Sequence, residues 1–541
     1  MPCLSAASTG VAMTHDARRF AAIRVAAAAA VCAIVVTGAG VAAAASGGTW
    51  GTAREMPGTA ALDQGLPAEA LSVSCASAGN CSAGGTYADV PDSSQAFVAS
   101  EMNGTWQKAR EVAGTLNQGR AAVVNSVSCA SAGNCAAGGS YSDGSVSATE
   151  QAFVASEVNG TWQKAIEVPG TAGGGAVNSV SCASAGNCAA GGSYRDSSGH
   201  EHAFVASDVN GTWHAARELP GTAILSQGLG AEALSVSCAS AGNCAAGGWY
   251  VDSSNHFQAF VASEVNGTWR AAREVAGTLD QGGGAQVNSV SCASAGNCIA
   301  GGFYHHNPTA GAQEAFVASE VNGTWQKAIE VPGLAALNQG EAAVNSVSCA
   351  AAGNCAAAGF YSAGSRQQAF VASEVNGTWQ KAIEVPGLAA LNQGEAAVNS
   401  VSCASAGNCA AAGFYSAGSR QQAFVASEVN GTWQKAIEVP GTAALNQGGE
   451  AAVNSVSCAA AGNCAAAGYY SNSGQAFVAS EVNGTWQKAI EVPGTAALNQ
   501  GGEAAVNSVS CAMAGNCAAV GYYFDSSRHA QAFVVNERPS H

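Results

Sequence analysis

The sequence predicts an all-β fold, a β-propeller of about nine four-stranded blades closed by pairing of the N-terminal strand with the last blade. Three observations point there. A segment of about 54 residues recurs nine times between Gly48 and Glu537, and such a period marks units that bury their faces only against neighbours. Each copy splits into four short runs rich in Val, Phe, Trp and small residues, with Asn and Gly between them, the pattern of strands and turns. The copies are also cut out of phase. The repeats open with Gly48-Thr49-Trp50-Gly51-Thr52-Ala53-Arg54-Glu55-Met56, the end of a copy, and stop at Gln531-Ala532-Phe533-Val534-Val535-Asn536-Glu537, the part just before that end. A ring explains this division, because closure removes free sheet edges. An open solenoid has no use for it.

The elements follow in order within the copy from Val177 to Gly221. The first run is Val177-Asn178-Ser179-Val180-Ser181-Cys182, followed by the turn formers Ala183–Asn187. The second run is Cys188–Tyr194, in which Gly191 and Gly192 allow a neighbouring backbone or ring to approach closely. A variable polar loop, Arg195–His202, leads to the third run, Ala203–Val209. Asn210-Gly211 then predicts a type I′ hairpin, since both residues accept positive φ. The fourth run is Thr212–Leu219, ended by Pro220-Gly221, and its Trp recurs in every copy. Asn-Gly-Thr at these turns is also formally a glycosylation sequon, although the hairpin alone explains its recurrence.

Residues 1–45 read as a secretory signal peptide and 46–541 as one propeller domain. Arg18, Arg19 and Arg24 precede the apolar run from Val25 to Val36, and Val41-Ala42-Ala43-Ala44-Ala45 offers a small-residue cleavage site before Ser46. The competing reading, a retained anchor, wants roughly 20 strongly apolar residues, and this run is short and Ala-rich. The Arg18-Arg19 pair also matches a twin-arginine export signal in part. No transmembrane span is expected after cleavage.

Cysteine usage agrees with export. Cys3 and Cys32 lie in the leader. The other 18 of the 20 form Cys-x5-Cys pairs: Cys75 with Cys81, Cys129 with Cys135, Cys182 with Cys188, Cys238 with Cys244, Cys292 with Cys298, Cys349 with Cys355, Cys403 with Cys409, Cys458 with Cys464, and Cys511 with Cys517. An even count in an exported chain predicts disulfides. No His recurs beside them, so the pairs do not read as metal ligands. Formal net charge is −16 from 20 basic and 36 acidic residues. Loss of three Arg and Asp16 with the leader leaves 17 basic and 35 acidic, a net −18. That balance disfavours nucleic acid and anionic membranes as partners.

The Ser179-Val180-Ser181-Cys182 unit and its copies resemble the Ser-Val-Ser-Cys repeats of exported actinobacterial proteins, and the whole pattern resembles secreted propeller repeats of the sialidase-like or kelch-like sort. Ser156-Glu157-Val158-Asn159-Gly160-Thr161-Trp162 is similar to the sialidase Asp box, Ser-x-Asp-x-Gly-x-Thr-Trp, but is one residue shorter and lacks the Asp. The resemblance spans Gly48 to Glu537 and implies a propeller.

Strand order sorts the loops onto two faces. Turns within the first and second hairpins barely vary, while the loops between runs two and three vary most: Ala88–Ser94, Ser142–Glu150, Arg195–His202, Val251–Gln258, His305–Glu314 and Phe524–Gln531. Binding usually resides in loops on a rigid scaffold, so the face carrying them is the candidate binding face, set against plain drift of unconstrained loops. The candidate ligand-binding residues there are Asp89, Asp92, Asp143, Asp196, Asp252, Asp525, Trp249 and Tyr250. Carboxylates accept sugar hydroxyls, and calcium is the one cofactor they would suit. Aromatic rings stack on sugars, although rings at this position also cap blade interfaces. The pairs His200 with His202 and His305 with His306 each occur in one copy and read as solvated loop residues. Recurring acids such as Glu157 and Glu167 read as a solvated ring of charge, not a catalytic pair. No catalytic residue or metal ligand is assigned.

The expected protein is therefore secreted or surface-associated, a multivalent binding module for a glycan or cell-envelope component. The alternatives are a glycoside hydrolase-like enzyme with its site at the channel mouth, and a structural or adhesive protein that contacts another extracellular protein.

Overall fold

The computed structural model describes residues 47–539 apart from 92, 119–120, 145–149, 172, 278, 281–282, 307–312, 448 and 472–473. The expected leader lies outside these residues, and Cys3 and Cys32 with it. Nine antiparallel sheets form a closed ring of blades. In blade 1 the first strand is Ala68–Ser77, the second Asn80–Tyr87 and the third Gln95–Met102. Blade 9 takes its outer strand from the N-terminus. Gly48–Trp50 and Arg54–Glu55 pair with Ala530–Pro539, Trp50 opposite Glu537 and Glu55 opposite Phe533. The divided repeat is thus the closure of the ring, and Met56 at its end is fully buried.

The fourth run is not one strand. In blade 6 it is Thr378–Trp379 and Ile383–Glu384, with three residues spanning two on the third strand. That extra residue is a bulge, and it serves the neighbour: Ala382 N–H donates to the carbonyl of Pro332 in blade 5 at 2.7 Å. Ala436 and Ala489 do the same to Pro386 and Pro440. The bulge thus turns a backbone donor outward to tie one blade to the last.

The Cys-x5-Cys pairs are bonded as the spacing predicts. In blades 1 to 3 Cys75 is joined to Cys81, Cys129 to Cys135 and Cys182 to Cys188. In blades 4 to 6 Cys238 is joined to Cys244, Cys292 to Cys298 and Cys349 to Cys355. In blades 7 to 9 Cys403 is joined to Cys409, Cys458 to Cys464 and Cys511 to Cys517. Each bond links directly opposed residues of the first and second strands, and the second-strand sulfurs, Cys81, Cys135, Cys188, Cys244, Cys298, Cys355, Cys409, Cys464 and Cys517, all belong to buried residues. Closing so short a loop contributes roughly 2 kcal/mol in the chain-entropy model. The Asn-Gly turns have positive φ at both residues, 50° at Asn103 and 79° at Gly104, as a type I′ turn requires. Gly192 is needed for close approach: a Cβ there would lie 1.9 Å from the Ala176 carbonyl oxygen.

The hydrophobic core is divided among the nine blade interfaces. Phe97 and Tyr87 of blade 1, for example, pack with Val520 and Val534 of blade 9. The first strands line the channel and would present unpaired N–H groups along their inner edges, a costly arrangement for buried backbone. The Ser-Val-Ser-Cys unit answers this. Ser346 and Ser348 of blade 6 accept the N–H groups of Val401 and Cys403 in blade 7, at 3.2 and 3.0 Å. The same two bonds run from every blade to the next, including Val73 and Cys75 of blade 1 to Ser508 and Ser510 of blade 9. Replacing Ser346 and Ser348 together by Ala should cost about 1–3 kcal/mol per orphaned donor, read as a lower denaturant midpoint. Exposed Ser365→Ala is the control, and equal midpoints for the two variants would show that the serines are dispensable.

The recurring acids correct the expectation of a solvated ring. Glu157 is 2% exposed, and its equivalents Glu101, Asp208, Glu264, Glu320, Glu374, Glu428, Glu481 and Glu537 are equally buried, at 2–4%. Seven of the nine accept a hydroxyl from a serine of the preceding blade, as Glu428 does from Ser373 at 2.6 Å. That serine in turn accepts the indole N–H of the Trp in the acid's own blade, Trp433 to Ser373 at 2.9 Å. At the closing interface Asn536 replaces the serine. Its amide oxygen accepts from Trp106 at 2.9 Å and its amide nitrogen donates to Glu101. Asp208 of blade 3 is one methylene shorter, and its Oδ1 has no hydrogen-bond partner among the described residues. Most of the second set, Glu167 and its equivalents, is partly exposed and accepts tyrosine hydroxyls, Tyr141 to Glu167 at 2.9 Å and Tyr415 to Glu438 at 3.1 Å, while Glu111 and Glu274 are exposed. The first set is therefore structural, held between blades, and most of the second is held by a tyrosine of its own blade.

Candidate functional site

The two loop faces are as expected. The hairpin-turn face is uniform, with Gly104 N–H bonded to the Gly79 carbonyl and the same contact in blades 2–8. The opposite face carries the variable loops and the starts of the first strands.

On that face most of the expected aspartates have an internal task. Asp252 Oδ1 accepts the N–H groups of Ser254 and His256, at 2.8 and 3.0 Å, while Oδ2 accepts from Gln258 at 3.1 Å. Asp525 holds Ser527, His529 and Gln531 in the same way. Asp196 holds Ser198 and His200, with His202 in the place of the glutamine. Asp89 accepts from Ser93 at 2.5 Å and Gln95 at 3.2 Å. These are loop clamps that return the chain from the second strand to the third. Backbone donors from His200 and Ser198 hold the Asp196 carboxyl below its usual range. The Asp252 carboxyl is lowered too, the N–H groups of its loop outweighing desolvation. Asp143 sits beside Tyr141, and Asp92 lies outside the described residues. No group of three His, Cys, Asp or Glu side chains that could hold a metal ion occurs among the described residues. His202, read as solvated, is instead mostly buried, stacked on Tyr194 and within 3.2 Å of both Asp196 and Glu218.

Tyr250 is 3% exposed and packs in the interface with blade 3. Its ring is not available to stack on a ligand, which corrects that expectation. The same holds for Tyr87, Tyr141, Tyr304, Tyr361, Tyr415, Tyr470 and Tyr523. Side chains alternate across a strand, so the residue before each Tyr faces the other way, toward the next blade. Trp249 occupies that position and is partly exposed.

Trp249 is the first of a series that sequence reasoning missed. The residues before the Tyr are Thr86, Ser140 and Ser193 in blades 1–3, then Trp249, Phe303, Phe360, Phe414, Tyr469 and Tyr522 in blades 4–9. All six aromatics are partly exposed, near the loop-side ends of their strands. They form a crescent over six consecutive blades. Beneath each in blades 6–9 lies a small buried partner, Ala343, Ala397, Ala452 or Ala505, directly opposite in register. An exposed glutamate stands two residues before that alanine and so on the same sheet face: Glu341, Glu395, Glu450 and Glu503. Tyr522 donates its hydroxyl to Glu503 at 3.0 Å, which confirms the proximity in blade 9. The backbone N–H groups of Glu341 and Glu395 bond Ser362 and Ser416, each at 3.1 Å. The signal was present in the letters, as the change from Thr or Ser to aromatic before each Tyr. What was lacking was the knowledge that these rings, and not the tyrosines, face outward.

No protein-family model matches the chain, and no curated protein matches it. Solved structures align with it at low identity. A Hadza microbial sialidase is 10% identical over 72% of this chain and 68% of that one, with a TM-score of 0.31. Sqt1 of Chaetomium thermophilum is 11% identical over 88% of this chain and 96% of that one, at 0.42. A polysaccharide lyase described as an ulvan lyase of a new family is 11% identical over 71% and 92%, at 0.35. None of these likenesses bears on the chemistry of this chain.

Proposed function

We propose that the chain is a secreted, multivalent binding module whose loop-bearing face takes an extracellular glycan or other envelope polymer. The observation that carries this is the crescent of six partly exposed rings on consecutive blades, each in blades 6–9 on the sheet face that carries an exposed carboxylate. Flat rings stack on sugar faces, and neighbouring oxygens accept hydroxyls. Equivalent subsites on one rigid ring raise affinity for a polymer without new kinds of contact. Nine disulfides fit an oxidising compartment, and no helix among the described residues is long and apolar enough to cross a membrane.

The test is binding of the oxidised chain, freed of its leader, to an array of glycans and cell-wall fragments, with and without calcium. Selective binding is expected, independent of calcium. Phe360→Ala, Phe414→Ala and Tyr469→Ala should each weaken it about threefold to tenfold and compound when combined. Thr105→Ala on the opposite face should change nothing. A single substitution that abolishes activity together with release of soluble sugar would favour the hydrolase alternative. Absence of any selective binding would overturn the reading.

A further inference from the structure

We infer that the crescent is selective for an amine-bearing glycan, a polymer of amino sugars with free ammonium groups; this rests on the glycan reading above. The argument is charge complementarity at the rings. In blades 6–9 every ring has an exposed glutamate on its own sheet face, Glu341 with Phe360, Glu395 with Phe414, Glu450 with Tyr469 and Glu503 with Tyr522. Among the described residues none of these four carboxylates forms an ion pair with Lys or Arg. Arg366 and Arg420 lie opposite Ala363 and Ala417 in register, on the sheet face that looks toward the preceding blade, and among the described residues neither is in ion-pair contact with these glutamates.

A ring beside a carboxylate is the arrangement that holds an ammonium group, the ring through its quadrupole and the carboxylate by charge. Four such pairs at successive blades would engage successive amines along one chain. A uronate or sulfated polymer would meet four unpaired negative charges, and the net −16 of the whole chain would oppose its approach. A neutral acetylated sugar would keep the stacking and lose the charge contact.

The experiment compares a β-linked glucosamine oligosaccharide long enough to span four blades with its fully N-acetylated form, in mildly acidic buffer. The amine form should bind about tenfold more tightly, and the advantage should shrink as salt is raised. Glu341→Gln, Glu395→Gln, Glu450→Gln and Glu503→Gln combined should level the two forms. These side chains are exposed, so unchanged circular dichroism will confirm that the variant is folded. Equal binding of both forms by the parent, still lost on Phe360→Ala and Phe414→Ala, would overturn the amine selectivity and leave the glycan reading intact. Binding of neither form would overturn both. Binding of oligolysine as tightly as the amino sugar would also overturn the inference, since charge without sugar recognition would suffice.

Discussion

A variant lacking residues 47–56 should lose most of its stability. The deletion removes Trp50 and Met56 from the interfaces that blade 9 makes with its two neighbours and the indole donor to Ser480. It also leaves Ala530–Pro539 without its outer partner. Loss of one buried Trp or Met side chain alone costs about 2–5 kcal/mol. The two together approach the whole net stability of an ordinary domain, about 5–15 kcal/mol. Thermal unfolding should shift far downward and lose its single sharp transition, and the exposed edge strand should make the variant prone to association. A synthetic peptide of residues 47–56 added in trans should restore part of the loss. A deletion variant that melts with the parent would show that ring closure contributes little.

Acidic buffer should stabilise the ring. Burial raises the pKa of each of the nine interface acids; desolvation is the main cause at all of them, partly offset by the serine, asparagine, arginine or backbone partners of most. Asp208, the acid without its serine, is pushed up to about 6. A raised carboxyl binds a proton more readily in the folded than in the unfolded chain. Stability from this source is therefore fully present below the unfolded pKa, about 4, and is lost as pH rises through the folded value. Nine such groups act in the same direction. Melting temperature should be highest near pH 4 and fall by several degrees toward pH 8. Glu374→Gln, Glu428→Gln and Glu481→Gln combined should flatten the slope. A profile that is level or rising between those pH values would sink the account.

The sequence by itself determined the repeat, the blade count, the disulfide pairs, the Asn-Gly turns and the closure. Each of these is written in one dimension. A period, a Cys-x5-Cys spacing such as Cys129 with Cys135, a two-residue turn and a repeat divided between the termini survive any arrangement of the blades. The resemblance to propeller repeats held at the level of architecture.

What only the tertiary structure decided is which way each side chain points and what it meets. Glu157 and Ser156 both look like surface residues in a polar run, yet neighbouring blades enclose the acid and make it a link in a relay. Asp252 and Asp525 look like ligand groups in a variable loop, but the loop curls back so that its own N–H groups occupy them. Tyr250 and Trp249 are adjacent in sequence and opposite in fate, because alternation sends one ring into the interface and the other to the mouth. The strands are known from the letters, but the direction of the alternation is set by which face each blade presents to the next. That is a property of the closed ring, and no single repeat contains it.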